Sequence, residues 1–218
     1  METGPPDPGD RAATPPSDSG RTPDALLALD EITRRLRQEC PWDREQDERS
    51  IVPHTVEEAY ELADAAHSGD DAKLLDELGD VLFQVYFLSL LLEERGRGSL
   101  AEVAEHCRQK LIRRHPHVFG DRAAETAGDV VRNWDQIKRD EEGGGEVFGP
   151  IPDTLPSTLY AKKVLRRARN AGHEWESASD GAGERLLSAV RNAVEAGEDP
   201  ELALRRAADR FRQQVETA

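Results

Sequence analysis

The chain has 218 residues and carries 44 acidic against 29 basic side chains, a formal net charge of −15 at pH 7. That balance argues against binding of long nucleic acids or anionic membranes, but not of a single nucleotide whose phosphates are bridged by metal. Cys40 and Cys107 give neither a disulfide framework nor a zinc set, the longest apolar run (81–92) is too short to span a bilayer, and no signal-peptide core opens the chain; a reducing cytoplasm is the expected location.

Residues 1–21 are rich in Pro, Gly, Asp, Ser and Thr without apolar periodicity, which predicts a disordered tail. Thr22-Pro23-Asp24 reads as a helix start, followed by Leu26, Leu29, Ile32 and Leu36 at helical spacing and a stop at Cys40-Pro41, so a helix to Glu39 is expected. Residues 40–53 read as a loop. Trp42 within it is either a satellite of the core or a platform for a ligand.

Residues 54–92 are expected to form two acidic helices joined by a turn at Ser68-Gly69-Asp70-Asp71. The first holds Glu57, Glu58 and Glu61 in an E-E-x-x-E pattern, with Asp64 on the same stripe and Val56, Ala59, Tyr60, Ala63 and Ala66 on the expected apolar face. The second is apolar almost all round from Leu74 to Leu92, which predicts burial, yet carries Glu77, Asp80 and Gln84 in one stripe. Carboxylates facing a core are costly unless paired, and no Lys or Arg lies between Lys73 and Arg95. Glu58, Glu61, Glu77 and Asp80 together therefore suggest a site for divalent metal, and all-oxygen ligands suit Mg2+ or Mn2+ rather than zinc. Two plainer readings stand beside it: a solvated acidic face, and a capping box in which Glu58 turns back toward Thr55.

Ser99 to Glu102 reads as a capping box that opens a helix with Leu100, Val103, Ala104, Cys107 and Leu111 on one face. The helix ends in Lys110, Arg113 and Arg114, then His115-Pro116-His117. Such cations complement a helix dipole, or clamp a phosphate chain. The histidines read as a packed turn or as metal ligands. Residues 126–142 are expected to be helical with Val130, Val131, Trp134 and Ile137 inward and Lys138 beside Trp134; the indole packs in the core or stacks on a base. A Gly- and Pro-rich linker over 143–156 precedes three further expected helices, 155–171, 182–196 and 200–216, with no strand signal.

Five segments together resemble the MazG family of nucleoside triphosphate pyrophosphohydrolases: CPWDREQ at 40–46, HTVEEAYEL at 54–62, DELGDVLFQVYF at 76–87, KLIRRHPHVF at 110–119 and NWDQIKRDE at 133–141. The resemblance covers roughly residues 25–142. It implies an all-α helical bundle completed by dimerisation or higher homo-oligomerisation, and Mg2+-dependent hydrolysis of NTPs or dNTPs to monophosphate and pyrophosphate. It implies Glu58, Glu61, Glu77 and Asp80 as metal ligands, with Glu57 positioning water or a further metal. Lys110, Arg113 and Arg114 would contact phosphates, Trp134 and Lys138 the nucleotide, and Trp42 is kept as a further substrate contact. Residues 151–175 resemble the connector and first helix of a second unit of this kind, after which the acidic helix is missing and Gln213 and Gln214 stand where an arginine pair belongs. The expected division is thus a tail (1–21), a catalytic unit (22–142), a linker (143–156) and a degenerate second unit (157–218). A rival reading is a weak or inactive relative kept as a dimeric interaction protein. A ferritin-like di-iron site would need Glu-x-x-His on its helices, and the chain's acidic helices do not supply it.

Overall fold

A computed structural model describes residues 20–141 and 147–217. Most of the expected tail, and residues 143–146 of the expected linker, lie outside the described residues. Every regular element described is a helix: α1 (Thr22–Glu39), α2 (Pro41–Glu45), α3 (Glu48–Ser68), α4 (Asp71–Glu94), α5 (Leu100–Arg114), α6 (Pro116–Phe119), α7 (Ala127–Glu141), α8 (Ser157–Asn170), α9 (Ala182–Glu195) and α10 (Pro200–Glu216). The fold is all-α, as the sequence implies. By compactness the chain forms two units that meet at Ala104 and Glu105, inside α5.

In the first unit α3 and α4 form an antiparallel hairpin. Gly69 closes α3 in the left-handed region (φ 72°), and Asp70 then caps α4 by accepting from the backbone N–H groups of Ala72 and Lys73 at 3.0 and 3.1 Å. The expected loop over 40–53 is instead α2 and the first turns of α3. Asp47 accepts from the N–H groups of Arg49 and Ser50, and the Ser50 hydroxyl accepts from the Asp47 N–H, which starts α3 ahead of Pro53. Pro53 removes one helical donor, a loss the long helix absorbs. Thr55 is consequently mid-helix, so Glu58 has no helix end to cap. The capping reading is corrected.

The core is Ile51, Phe87 and Leu91, with Phe83 and Leu88 against it. Ile51 and Ala65 are the buried positions of α3 and Thr55 and Glu58 are half-buried; of the expected apolar face Tyr60 and Ala63 are half-buried, whereas Val56, Ala59 and Ala66 lie exposed. Helix α4 is not buried all round either. Tyr86, Phe87, Leu90 and Leu91 are buried, but Leu75 is 73% and Leu78 49% exposed, and Leu82 and Val85 continue that stripe at helical spacing. In α1 the packed positions are Thr33 and Arg37 rather than the leucine stripe: Thr33 donates to the Leu29 carbonyl at 2.8 Å and the Arg37 guanidinium lies 5.9 Å from the Phe87 ring centre. Arg34 and Arg37 tie α1 to Glu93 and Glu94 at the far end of α4, at 2.7–3.0 Å.

The second unit contains most of α5 and all of α6 to α10. No residue of α5 is buried. Helices α8, α9 and α10 pack on one another, and α10 is capped by Asp199, which also accepts from Lys162 of α8 at 2.6 Å. On α7 the buried residue is Asp135, not Val131, which is exposed.

Candidate metal centre

The α3–α4 hairpin brings the sequence-predicted acids together. Carboxylate oxygens of Glu58, Glu77 and Asp80 lie within 4.8 Å of one another. Glu77 is buried, Glu58 half-buried and Asp80 exposed, so the cluster runs from the helix interface to the surface. A hydroxyl–amide contact sits one turn further along the same interface, where Thr55 Oγ1 is 3.4 Å from Gln84 Oε1.

The charges are mutually repulsive. Burial pushes the Glu58 carboxyl above the usual carboxylate range, and Asp80, Glu61, Glu77 and Glu57 push it further in that order. Glu77 is raised by burial, then by Glu61, with Lys73 opposing and Asp80 and Asp76 adding. Glu61 therefore belongs to the same electrostatic cluster although it lies outside the tightest triad. Glu57 adds the smallest of these pushes on Glu58 from the surface: its side chain is 71% exposed and stands 3.5 Å from His54. Among the described residues no lysine or arginine forms an ion pair with Glu58, Glu61, Glu77 or Asp80. Converging carboxylate oxygens without a protein cation fit a hard divalent ion.

The remaining candidates fall elsewhere. Trp42 is half-exposed on α2 and meets the His54 ring edge-on at 5.8 Å, so it is no satellite of the core. Arg113, Arg114, Trp134 and Lys138 come together in the second unit. Arg114 lies 5.1 Å and Lys138 5.8 Å from the Trp134 ring centre, and both arginines donate to the Glu141 carboxylate at 2.6–3.1 Å. Lys110 lies on the same helix, one turn before Arg113 and Arg114. Glu141, pulled below the usual range chiefly by its hydrogen bond from Arg114, was not singled out from the sequence; its place in the last motif was the available signal. His115 stands in the turn that Pro116 favours: its Nδ1 is 2.7 Å from the Leu111 carbonyl and its ring packs on His117.

Residues 46–119, which hold the four clustered acids, match the family model for the MazG nucleotide pyrophosphohydrolase domain. A Thermotoga maritima protein named nucleoside triphosphate pyrophosphohydrolase/pyrophosphatase MazG is 35% identical over 175 residues, covering 78% of this chain and 67% of that protein. The chain belongs to the MazG family. An Escherichia coli nucleoside triphosphate pyrophosphohydrolase is 39% identical over 155 residues, 70% of this chain, and the chain spans 59% of that relative's length. A Streptomyces cacaoi protein whose name assigns no activity is 40% identical over 198 residues, 88% of this chain and 82% of its own. A crystal structure of a MazG-related protein from Thermotoga maritima aligns with TM-score 0.45 and 22% identity, over 53% of this chain and 98% of that one.

Proposed function

We propose that this MazG chain hydrolyses nucleoside triphosphates to monophosphate and pyrophosphate with Mg2+ held by Glu58, Glu61, Glu77 and Asp80. The observation that carries the reading is the carboxylate triad, closed to within 4.8 Å with no ion pair to a lysine or arginine among the described residues. A ligand of opposite sign relieves the repulsion within such a set of charges. Bound Mg2+ supplies neutralisation of acid and phosphate together and lowers the pKa of a coordinated water. Glu57, exposed beside the cluster, is the carboxylate assigned to orient the attacking water. Water oxygen bonds to the α-phosphorus, the bond from that phosphorus to the α–β bridging oxygen breaks, and pyrophosphate leaves with the bridging oxygen.

Lys110, Arg113 and Arg114 are assigned to the phosphates and Trp134 and Lys138 to the nucleotide. Glu141 holds Arg113 and Arg114 as a resident counter-anion, so a phosphate competes with it for the same donors. Trp42, with a free half of its surface, is the remaining substrate contact. Residues 22–142 are taken as the catalytic unit and 157–218 as a degenerate copy without the acid pair.

The exposed stripe Leu75, Leu78, Leu82 and Val85 supports assembly as a homodimer that covers it. Light scattering tests this, and a monomer at micromolar concentration would overturn it. No described helix is long and apolar enough to cross a membrane, and a cytoplasmic location is part of the proposal. The direct test of function is a panel of NTPs and dNTPs incubated with Mg2+ and scored for pyrophosphate and monophosphate. Absence of both products across the panel would leave the interaction-protein reading in its place.

A further inference from the structure

A cleft of about 590 Å3 opens in the second unit, lined by residues of α7, α8 and α9. Its floor includes Val131, Leu165 and Val194. Its wall carries Arg132, Lys162, Arg166, Arg169 and Arg191. Among the described residues no carboxylate lines it, in a chain where acids outnumber bases by 44 to 29.

The acids that answer these cations stand behind the wall, and they answer unevenly. Lys162 meets Asp199 at 2.6 Å, and Arg132 pairs with Asp129. Arg166 is 3.4 Å from Asp135, Arg169 is 3.6 Å from Glu195, and Arg191 is 3.8 Å from the same Glu195. These three separations exceed the roughly 2.7–2.9 Å of a good charge-assisted hydrogen bond. The Nε atoms of Arg166 and Arg191 are buried with no hydrogen-bond partner among the described residues. An anion in the cleft would meet the accessible part of these two side chains, which are 41% and 36% exposed. Arg191 is also held in place: its guanidinium lies 5.3 Å from the Trp175 ring centre and Nη1 donates to the Trp175 carbonyl at 3.4 Å.

We propose that this cleft binds a nucleoside phosphate, with phosphate oxygens on Arg166, Arg169 and Arg191 and the base against the floor of Val131, Leu165 and Val194. Its volume lies within the range of small-molecule sites, about 300–1,000 Å3. An inorganic anion would satisfy the wall and leave the apolar floor bare; a nucleoside phosphate uses both. None of the lining residues belongs to the acid cluster or to the assigned substrate contacts, so this site stands whether or not the chain hydrolyses nucleotides.

The test is calorimetry on the full chain in chelator, which removes divalent metal from the acid cluster. ATP should bind once per chain, and adenosine and tripolyphosphate at least about tenfold more weakly. Arg166→Ala with Arg191→Ala should weaken ATP by about tenfold or more. Because Arg191 also anchors Trp175, Arg169→Ser and Val131→Glu provide surface variants that leave the helices intact. Each should weaken ATP by about fivefold or more without moving the melting temperature. Glu58→Ala should bind as the parent does. Absence of ATP binding at about 1 mM, parental affinity in Val131→Glu, loss of binding in Glu58→Ala, or tripolyphosphate binding as tightly as ATP would each overturn the proposal.

Discussion

The α3–α4 hairpin and the α8–α10 group are both helical and both heavily charged, yet they place charge in opposite ways. In the C-terminal group opposite signs meet: Lys162 with Asp199 at 2.6 Å, Arg205 with Glu201 at 3.3 Å, Arg206 with Glu198 at 3.6 Å. In the hairpin like signs meet: Glu58, Glu77 and Asp80 share one interface, and Asp80 adds to the raised proton affinity of both Glu58 and Glu77. Each of the three C-terminal pairs is closed within the polypeptide. The hairpin leaves a surplus of one sign, which the proposed metal would answer. A charge pattern that disfavours the isolated fold is a better pointer to function than one that supports it.

The largest effect expected from this contrast is on turnover. Asp80→Ala or Glu61→Ala should lower pyrophosphate release by about a hundredfold or more, with the far-ultraviolet circular dichroism unchanged. Full turnover in both variants would discard the ligand assignment.

Metal itself should stabilise the hairpin. At a hundredfold excess over its dissociation constant, Mg2+ contributes about 2.7 kcal/mol, which raises the melting temperature by about 5 °C or more. A melting curve indifferent to Mg2+ would break the comparison.

On the paired side, Asp199→Ala removes a helix cap and the partner of Lys162. Losing the cap costs about 1–2 kcal/mol, or about 2–6 °C of melting temperature, and pyrophosphate release per folded molecule should not change. A kinetic defect equal to that of Asp80→Ala would erase the distinction between the two regions.

A smaller effect follows from protons. Glu58 and Glu77 have raised pKa values in the folded, metal-free chain. A raised group gives stability that is full below its unfolded value and is lost as pH rises through its folded value. Metal-free protein should therefore melt slightly higher at about pH 5.5 than at about pH 7.5, and Glu58→Gln should shrink the difference. The lowered carboxyls act in the other direction and lower down. Glu105, held at about 2 by hydrogen bonds from Arg108 and Gln109, loses its contribution only as pH falls toward that value. The smallest change should come from Arg35→Ala, which breaks an exposed pair with Glu39 at 3.0 Å and should alter stability by no more than about 0.5 kcal/mol in an unfolding titration.

Much of this was legible in the residues. The ends of α10 and the C-terminal end of α1 match the expectation to the residue, because Pro200 and Pro41 punctuate the chain there. The acid cluster was legible because spacings of three and four fix a helix face. The start of α3 was misread because Pro53 looks like a stop, while the Asp47–Ser50 cap six residues earlier lacks the usual glutamate. The inward faces were misread for another reason. Where α4 is apolar all round, periodicity carries no information about which stripe the single chain leaves open. The cationic cleft was not legible at all, since its cations come from three helices and only their packing gathers them.

Gly69 has one more consequence. Glu61 precedes it by eight positions and Glu77 follows by eight; Glu58 precedes it by eleven and Asp80 follows by eleven. The hairpin thus has mirror register about its bend, and each acid faces a counterpart at its own height. One residue inserted within the first turns of α4 would turn every later side chain by about 100° and put both levels out of step at once. The equal count of residues on either side of that bend is as much a part of the acid cluster as the carboxylates are.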